Sequence, residues 1–402
     1  MAIIKNILDN DLYKFTMQQA ILELFPNTKV KYYFKNRGKE KFNKKFLNKL
    51  KKEIEKLEKL SLTNREYNFL KNNCKFLKPQ YLEFLKNYKY KKNEVIPFLD
   101  KNNNLVLEIE GYWYSTILWE VPLLSLISEL YYKYVDTNWG INYFIQKEKA
   151  IDKINILSIK NCKFADFGTR RRRSYKIQDF IIKTFLNRQK KIKTKNQNKY
   201  FIGTSNVHFA QKYNIKPIGT YAHEWVMGNA ITEGLRHANY NAMNNWIRVY
   251  NTQLGIALTD TYGLNAFLNN FNRRMAMLYD GVRHDSGNPY DFITKIVEHY
   301  KKININPLSK TIIFSDGLDK YKAINIKHFC QNKINCSFGI GTNFTNNHFD
   351  NSALNIVIKL KSVMDNNKYV PVVKLSDSPG KEMGDKKAIN VAKWTFNQRN
   401  NN

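Results

Sequence analysis

The chain lacks paired cysteines, long uninterrupted apolar runs and an early hydrophobic leader. Its four cysteines contain no CxxC pair, so we expect neither a zinc site nor a disulfide framework. Residues 111–130 are the most apolar stretch, but Glu120, Pro122 and Glu129 interrupt it, so we do not expect it to cross a bilayer. The N-terminal segment reaches charged side chains too early for a secretory signal. These absences predict a soluble protein of a reducing, cytoplasmic compartment.

Acidic residues are also scarce. Against 34 Asp and Glu the chain has 66 Lys and Arg, a formal net charge of +32, and residues 29–92 hold 21 basic against 6 acidic side chains. Such an excess suits nucleic acid, an anionic membrane or a polyanionic small molecule as a partner. A drift of exposed positions toward Lys and Asn explains it without any ligand. The charge therefore leaves a basic RNA-binding protein open as an alternative.

The remaining composition is that of a globular protein. With 402 residues, 43% of them apolar and 14% aromatic, the chain is long enough for two or three domains. Asp9 and Asp11 stand where capping residues of a first helix are expected. Local patterns predict that helix over 13–25 and strands over 30–37, 105–111, 355–363 and 369–376. We expect a mixed α/β N-terminal domain over 1–150, completed by residues 350–402.

After residue 150, seven short apolar runs each end in small, polar or charged residues and lead into a helix-like segment. They are KFADFGT, YFIGTSN, KPIGTYAHE, IALTDTYG, YDGVRHDSG, TIIFSDG and SFGIGTN. Repeated strand–turn–helix units indicate a parallel sheet, and their number favours an irregular, incomplete seven-stranded (β/α) barrel over 151–349. A doubly wound open sheet is the alternative. In a barrel, the site lies at the carboxyl ends of the strands.

The first of these units ends in four consecutive arginines, Arg170 to Arg173, in FGTRRRRS. Guanidinium groups bind phosphate or carboxylate through two parallel hydrogen bonds, so arginines at a strand end suit an anion clamp. A basic patch for RNA is the alternative. Four adjacent side chains cannot all face one ligand, so we expect two of them to be structural.

His223, in GTYAHEW, follows the third run. A packed or solvated histidine is the plain alternative to a functional one. The HExxH zinc motif is excluded because Met227 occupies the position of the second histidine. A general base, a metal ligand and a phosphoryl acceptor remain open. Asp260, at the next strand end, could accept the proton of the other ring nitrogen.

Carboxylates beside glycine follow two later runs, Asp285 in VRHDSG and Asp316 in SDGLD, where Gly317 comes next. Such carboxylates suit ribose hydroxyls or Mg²⁺, although both segments are also ordinary turn sequences. In FGIGTN, the backbone N–H groups of Gly341 and Thr342 at a helix start suit a phosphate. The chain has no GxxxxGK[ST] segment, so ATP is not expected to bind through a P-loop.

Taken in order, these strand ends resemble the nicotinate phosphoribosyltransferase family along nearly the whole chain. The segments that carry the resemblance are DNDLYKFTM, FGTRRRRS, GTSN, GTYAHEW, TDTYG, VRHDSG, SDGLD and FGIGT, of which GTYAHEW and FGTRRRRS are the most specific. The resemblance implies an N-terminal α/β domain with an irregular seven-stranded barrel of the type II phosphoribosyltransferases. It also implies a homodimer with shared active sites.

The resemblance further implies a reaction. The pyridine nitrogen of nicotinate attacks the anomeric carbon of 5-phosphoribosyl 1-pyrophosphate and gives nicotinate mononucleotide and pyrophosphate, the first step of NAD salvage from nicotinate. ATP hydrolysis is coupled through a phosphohistidine, which here is His223. Mg²⁺ enters with the substrate phosphates, and Asp285 is a candidate contact for it.

Residue roles follow from the same resemblance. The pyridine ring is expected to stack on Phe167, and Tyr13 of the neighbouring subunit is expected to cover its other face. Arg283 and Thr220 are expected to hold the carboxylate of nicotinate. Phosphoribosyl pyrophosphate is assigned to Arg37 of the neighbouring subunit, Arg170, Asp285, Asp316, Gly317, Gly341 and Thr342.

Substrate choice depends on Ser205 in GTSN. Relatives that use nicotinamide carry Asp there, and a carboxylate at this position would repel nicotinate, so Ser205 favours the acid. Nicotinamide and quinolinate nevertheless remain the alternative substrates. One departure from the family pattern is His284, which stands between Arg283 and Asp285 in place of leucine or proline. We expect its side chain to point away from the site.

Overall fold

The computed structural model describes residues 2–138, 140, 142–192, 199–347, 352–378 and 380–397. The strands are β1 (Lys29–Asn36), β2 (Val95–Leu99), β3 (Leu105–Tyr112), β4 (Phe164–Asp166), β5 (Phe201–Thr204), β6 (Ile256–Leu258), β7 (Gly281–His284), β8 (Thr311–Phe314), β9 (Asn335–Ile340), β10 (Ile356–Asp365) and β11 (Lys368–Pro371). The α-helices are α1 (Leu12–Leu24), α2 (Lys44–Leu57), α3 (Asn64–Asn73), α4 (Pro79–Asn87), α5 (Trp113–Thr116), α6 (Glu120–Tyr134), α7 (Tyr143–Ile159), α8 (Tyr175–Gln189), α9 (Val207–Tyr213), α10 (His223–Thr232), α11 (Ala238–Tyr250), α12 (Leu264–Leu268), α13 (Arg273–Leu278), α14 (Pro289–Lys302), α15 (Lys320–Cys330), α16 (Thr342–Thr345) and α17 (Lys386–Thr395).

The first sheet is antiparallel and has the order β11-β10-β1-β3-β2. In β1, Val30, Tyr32 and Phe34 are buried and alternate with more exposed residues, which is the pattern of a strand covered on one face. The C-terminal strand β10 lies directly beside β1, with Tyr32 opposite Leu360. The strands predicted near residues 30, 105 and 355 are therefore confirmed. The domain boundaries at 150 and 350 stay a prediction.

The first helix differs from its prediction in how it begins. It starts at Leu12, and Asp11 occupies the N-cap position, but no side chain of the cap accepts a hydrogen bond from the helix. The carboxylate of Asp11 instead accepts from the hydroxyl of Ser205 at 2.7 Å. Asp11, which the local sequence predicted as a helix cap, thus makes a tertiary contact to Ser205 instead.

The second sheet is parallel and has the order β5-β4-β9-β8-β7-β6. The third predicted run is not a regular strand. It makes one parallel bridge, between Thr204 and Pro217, and the N–H of Ile218 donates to Thr204 O at 2.9 Å. The bridge to Thr204 uses the carbonyl of Lys216 and the N–H of Ile218. Pro217 therefore lacks a donor on its opposite side, where a regular ladder would need one. On the other side of the run, the hydroxyl of Thr220 donates to Ile256 O of β6 at 3.3 Å.

These contacts place the run between β5 and β6, at the gap that the two edges of the sheet leave. The architecture is therefore an α/β fold with an irregular, incomplete seven-membered barrel and a separate antiparallel sheet, as the sequence predicted.

Close packing positions the helix that carries His223. A Cβ at Gly228 would lie 2.1 Å from the ring of Trp113, so only glycine lets α10 approach this tryptophan. The indole N–H of Trp113 donates to Glu224 at 2.7 Å. Glu224 follows His223 at the start of α10. Packing and hydrogen bonding together hold the first turn of the helix in place.

A buried ion pair links the N-terminal segment to the barrel. The guanidinium of Arg172 donates to both carboxylate oxygens of Asp9 at 2.8 Å, and both side chains are fully buried. Asn206 donates to the same carboxylate at 2.8 Å. Burial by itself would raise the pKa of Asp9, but Arg172 outweighs it and holds the pKa below its ordinary value.

We predict that Arg172→Met destabilises the protein by about 3–5 kcal/mol, because it leaves the Asp9 carboxylate buried without its partner. The matched control is Lys212→Met, which removes one member of a partly exposed pair with Asp179 and should cost at most about 1 kcal/mol. Urea-induced unfolding measures both. Equal losses in the two variants would show that the Asp9–Arg172 pair has no special role.

Candidate active site

The carboxyl ends of the parallel strands meet around two adjoining cavities. Because parallel strands end at the same edge of a sheet, their following loops converge there. One cavity, of about 270 Å³, is lined by four glycines among other residues, and we call it the glycine-lined cavity. The second, of about 80 Å³, contains His223, and we call it the histidine-lined cavity. Both are bordered by Phe167, Arg170, Arg283 and Asp285.

The structure brings most of the predicted site residues to these cavities. The glycine-lined cavity also contains Gly317, Gly341 and Thr342. The histidine-lined cavity also contains Tyr13, Ser205 and Thr220. Asp260 lies behind His223, whereas Asp316 lines neither cavity and pairs with Lys381 at 3.0 Å.

The arginine run is divided as expected between ligand-facing and structural side chains. Arg170 borders both cavities, and Arg171 borders the glycine-lined one. Arg172 is buried against Asp9, and the guanidinium of Arg173 lies 3.5 Å from the centre of the Tyr132 ring. Two of the four arginines are thus available for an anion.

Glycines shape the cavity that Arg170 and Arg171 border. A Cβ at Gly339 would lie 2.4 Å from the ring of Phe167, so this ring lies flat against the backbone of β9. Gly317 has φ +55°, a left-handed conformation that favours glycine. Gly341 directly precedes α16, and its N–H and that of Thr342 belong to the start of this short helix. At these glycines the wall of the glycine-lined cavity is therefore backbone, while Phe167, Arg170 and Arg171 contribute side chains to it.

Arg283 is held in one orientation by three contacts. Its Nη2 lies 3.1 Å from Asp285 Oδ1, its Nε donates to Ser315 Oγ at 2.9 Å, and its Nη1 donates to Tyr221 O at 3.4 Å. Burial by itself would raise the pKa of Asp285, but Arg283 and His223 hold it well below the ordinary value. An ionised Asp285 and a fixed guanidinium therefore stand at the junction of the two cavities.

His223 is surrounded by polar groups. Its Nδ1 lies 3.0 Å from Thr261 Oγ1, and its Nε2 lies 3.2 Å from Asp285 Oδ2 and 2.8 Å from Lys374 Nζ. Burial lowers the pKa of His223 to about 4, and Lys374 adds to this effect against the opposing charges of Asp260 and Asp285. The imidazole is therefore neutral at physiological pH, and one of its nitrogens carries a lone pair that can act as a nucleophile once its hydrogen-bond donor moves away.

The contact between Asp260 and His223 differs from the expectation. Asp260 Oδ1 lies 3.5 Å from His223 Nε2, too far for a good hydrogen bond. Lys374 Nζ lies between them, 3.0 Å from Asp260 Oδ2. Asp260 therefore acts on the ring through the ammonium of Lys374 rather than by accepting a proton from it directly.

His223, Asp260 and Asp285 also form the group of side chains that could hold a metal ion among the described residues. The ammonium of Lys374 already lies among these three side chains and supplies the positive charge. Mg²⁺ prefers an all-oxygen octahedral shell that keeps several waters. This group does not fit a resident Mg²⁺.

Tyr13 and Arg37 were expected to act from a neighbouring subunit, and that expectation stays a prediction. Tyr13 lines the histidine-lined cavity because α1 begins beside the GTY segment, where a Cβ at Gly219 would lie 3.0 Å from Tyr13 N. Arg37 is exposed, and its N–H donates to Asn355 O at 2.8 Å. The side chain of Asn355 contacts Arg171 at 3.5 Å, which places Arg37 near the entrance.

His284 points away from the site, as predicted. Its ring packs between Phe292 and Phe314, with ring-centre distances of 4.9 and 5.5 Å. Successive residues of β7 face opposite sides of the sheet, so Arg283 faces the cavity while His284 faces the helices. The expected orientation of Arg283 is therefore not disturbed by the histidine.

Sequence reasoning missed the charged residues that complete the site. They are Lys14, Glu120, Glu224, Lys359 and Lys374. A weak signal existed for three of them: Lys14 and Glu224 adjoin named site residues, and Glu120 interrupts an apolar stretch. Lys359 and Lys374 come from the C-terminal strand region, far in sequence from the barrel, where no local pattern marks them.

Fold and site together are those of an α/β-barrel protein whose adjoining cavities are bordered by Arg170 and Arg283. Residues 162–400 match the nicotinate phosphoribosyltransferase (NAPRTase) family, and residues 8–128 match the N-terminal domain of that family. The chain therefore belongs to the nicotinate phosphoribosyltransferase family.

Individual relatives agree with this assignment. Nicotinate phosphoribosyltransferase of Methanosarcina acetivorans is 46% identical over 98% of this chain and 99% of its own. The Saccharomyces cerevisiae protein of the same name is 41% identical over 97% of this chain and 94% of its own. The crystal structure of nicotinate phosphoribosyltransferase from Porphyromonas gingivalis superposes with a TM-score of 0.93 at 37% identity, covering 98% of this chain and 100% of that one.

The structure also bears on the early expectation about membranes. In the part of the chain that the structure describes, no helix is both long and apolar enough to cross a bilayer.

We predict that His223 stays neutral at pH 5.5, because its pKa of about 4 lies well below that pH. NMR of protein labelled at the histidine rings measures this, with His223→Ala to assign the signal. Free histidine in the same buffer serves as the control, and its ring should be about nine-tenths protonated at that pH. A midpoint near pH 6.5 for His223 would contradict the burial and the Lys374 contact described above.

Proposed function

We propose that this protein joins nicotinate to 5-phosphoribosyl 1-pyrophosphate and couples the reaction to ATP hydrolysis through His223. The observation that carries the proposal is the junction of a cationic, glycine-lined cavity with a cavity that holds a neutral, buried histidine. Membership of the nicotinate phosphoribosyltransferase family supports the same substrates.

Nicotinate occupies the histidine-lined cavity in this proposal. Its ring stacks on Phe167, with Tyr13 on the other side, and its carboxylate pairs with Arg283 near Thr220. Arg283 suits this role because its contacts to Asp285, Ser315 and Tyr221 fix its orientation before substrate arrives. Placing the carboxylate orients the ring nitrogen toward the glycine-lined cavity.

Phosphoribosyl pyrophosphate occupies the glycine-lined cavity. Its 5′-phosphate binds Arg170 and the N–H groups of Gly341 and Thr342, and Arg37 adds positive charge at the entrance. Asp285 faces the ribose, and Gly317 allows the pyrophosphate to approach the backbone. Asp316 joins this set once Lys381 turns from it to the pyrophosphate. Mg²⁺ enters with the phosphates, since the group of His223, Asp260 and Asp285 found among the described residues does not fit it.

The bond changes are simple. The lone pair of the pyridine nitrogen forms a bond to the anomeric carbon, while the bond from that carbon to pyrophosphate breaks and its electrons leave with the oxygen. Such a reaction depends on positioning and on neutralising the developing pyrophosphate charge more than on a strong acid. The arginines and backbone N–H groups supply that neutralisation.

ATP is used at His223. A neutral ring nitrogen attacks the γ-phosphorus, ADP leaves, and water later hydrolyses the phosphohistidine to inorganic phosphate. Burial keeps the ring neutral, and Lys374 adds to this effect and stands beside the phosphoryl group that forms. Phosphorylation thereby changes the charge next to Asp285 and Arg283, and a coupling of about 1–3 kcal/mol would change substrate affinity roughly 5–150-fold.

Nicotinate is favoured over nicotinamide because Ser205, rather than aspartate, lines the ring cavity, and its hydroxyl is engaged by Asp11. Quinolinate is disfavoured because its transfer has no use for a phosphorylated histidine. We also propose a homodimer and a cytoplasmic location. RNA binding has no support beyond the net charge.

We predict that incubation with γ-labelled ATP gives an acid-labile, base-stable label on the protein, as expected for a phosphohistidine. His223→Ala should abolish the label and reduce nicotinate mononucleotide formation. His237→Ala, which changes an exposed histidine, is the matched control and should label like the wild type. Label that persists in His223→Ala would refute the assignment of the phosphoryl acceptor.

A further inference from the structure

Lys14 is a fully buried lysine that the reaction described above does not use. It lies in the first turn of α1, next to Tyr13, and its side chain has no exposed surface. Its Nζ lies 2.6 Å from Glu120 Oε2 and 2.6 Å from Glu224 Oε2. One ammonium thus serves two carboxylates that come from different helices, α6 and α10.

Both of these carboxylates line the histidine-lined cavity. Glu224 accepts from Trp113 Nε1 at 2.7 Å and from the hydroxyl of Tyr32, which fixes its orientation. Glu120 contacts Arg170 and the hydroxyl of Tyr13, each at 3.4 Å. The two glutamates are therefore part of the wall against which the substrate ring is proposed to bind.

Such a wall conflicts with an anionic substrate unless its charge is balanced. Like charges within several ångströms of one another in a poorly solvated cavity lower affinity by on the order of tenfold or more. Asp285 lines the same cavity and adds to the negative charge, whereas burial raises the pKa of Asp11, which also lines it. Arg170 and Arg283 oppose it from the other sides and also border the cavity. Burial lowers the pKa of Lys359 to about 8, so this third cation is fully charged only below that pH. Lys14 is the buried cation on the side of the two glutamates.

We propose that Lys14 is a positioning residue that sets the charge of the ring cavity, so that a carboxylate-bearing pyridine can bind beside Glu120 and Glu224. The inference rests on the proposed function, since it concerns how the same cavity admits nicotinate. Lys14 acts through the two glutamates and does not touch the substrate.

A purely structural role for Lys14 makes a different prediction about pH. Burial by itself would raise the pKa of Glu120, but Lys14, Arg170 and Lys359 hold it at about 2. Removing Lys14 takes away the first of these opposing charges, so Glu120 binds a proton at a higher pH than before. The charge role therefore predicts a defect that weakens as the pH falls, whereas a packing defect does not depend on pH. The hydroxyls of Tyr13 and Tyr32 also face these glutamates. Burial raises the pKa of both tyrosines above the ordinary value, so neither changes its charge between pH 6 and pH 8.

The test is the dissociation constant of nicotinate, measured by calorimetry at pH 8 and pH 6 on the full chain. Relative to the wild type at the same pH, Lys14→Met should weaken binding about tenfold or more at pH 8 and less at pH 6. The wild type is the reference at each pH because Lys359, with a pKa of about 8, changes its charge in this range. Lys14→Met combined with Glu120→Gln removes one charge of each sign and should restore binding to within about threefold. Lys14→Arg keeps the positive charge and should bind nicotinate to within about threefold of the wild type. Lys212→Met, at the surface, is the control and should bind nicotinate like the wild type.

Each outcome decides the proposal. Unchanged binding in Lys14→Met, or a loss that is equal at both pH values and is not relieved by Glu120→Gln, overturns it. If Lys14→Met does not fold, weak nicotinate binding by a folded Lys14→Arg variant overturns it. If the wild type binds nicotinate but makes no mononucleotide, the proposed function is refuted. The role of Lys14 in binding is then still decided by the dissociation constants of the variants. A wild type that does not bind nicotinate refutes both.

Discussion

The two cavities at the strand ends depend on one physical constraint. Many charged side chains are buried around them, and each needs a partner of opposite charge. An isolated buried charge costs several kcal/mol, so each must have a partner at short distance. The pairs that satisfy this constraint are Arg172 with Asp9, Lys14 with Glu120 and Glu224, Lys374 with Asp260, and Arg283 with Asp285. Several of these pairs join segments that are more than a hundred residues apart, so the same contacts that balance charge also assemble the site.

This arrangement explains why both halves of the molecule are needed. The parallel sheet supplies Phe167, Arg283 and the glycine-rich strand ends. The antiparallel sheet supplies Lys359, and the segment after β11 supplies Lys374 to His223. Burial lowers the pKa of His223, and a lysine contributed by the C-terminal region adds to this effect.

The barrel and the order of its strand ends could be predicted from the sequence because both are local. Each strand is a short apolar run, and its functional residues follow directly, as in FADFGTR or GVRHD. The third run was mistaken for a regular strand because its apolar pattern outweighed Pro217, which bridges Thr204 on one side and has no N–H to donate on the other. Asp11 was assigned to helix capping because local sequence does not reveal the hydroxyl of Ser205 that binds it.

Charge pairing across the chain could not be predicted in the same way. Nothing near Lys374 indicates that it meets His223, 151 positions away. Lys14 and Glu224 each adjoin a recognised site residue, but their contact at 2.6 Å appears only when α1 and α10 pack together. The sequence thus indicated the residues that border the cavities better than the oppositely charged residues that pair with one another around them.

The most direct test compares nicotinate and nicotinamide as substrates of the purified protein, with phosphoribosyl pyrophosphate, ATP and Mg²⁺ present. The account predicts that nicotinate mononucleotide forms and that kcat/KM for nicotinate exceeds that for nicotinamide by at least about a hundredfold, because the Arg283 guanidinium is left without its carboxylate in the amide complex. Equal use of both compounds, or no mononucleotide from either, would contradict it.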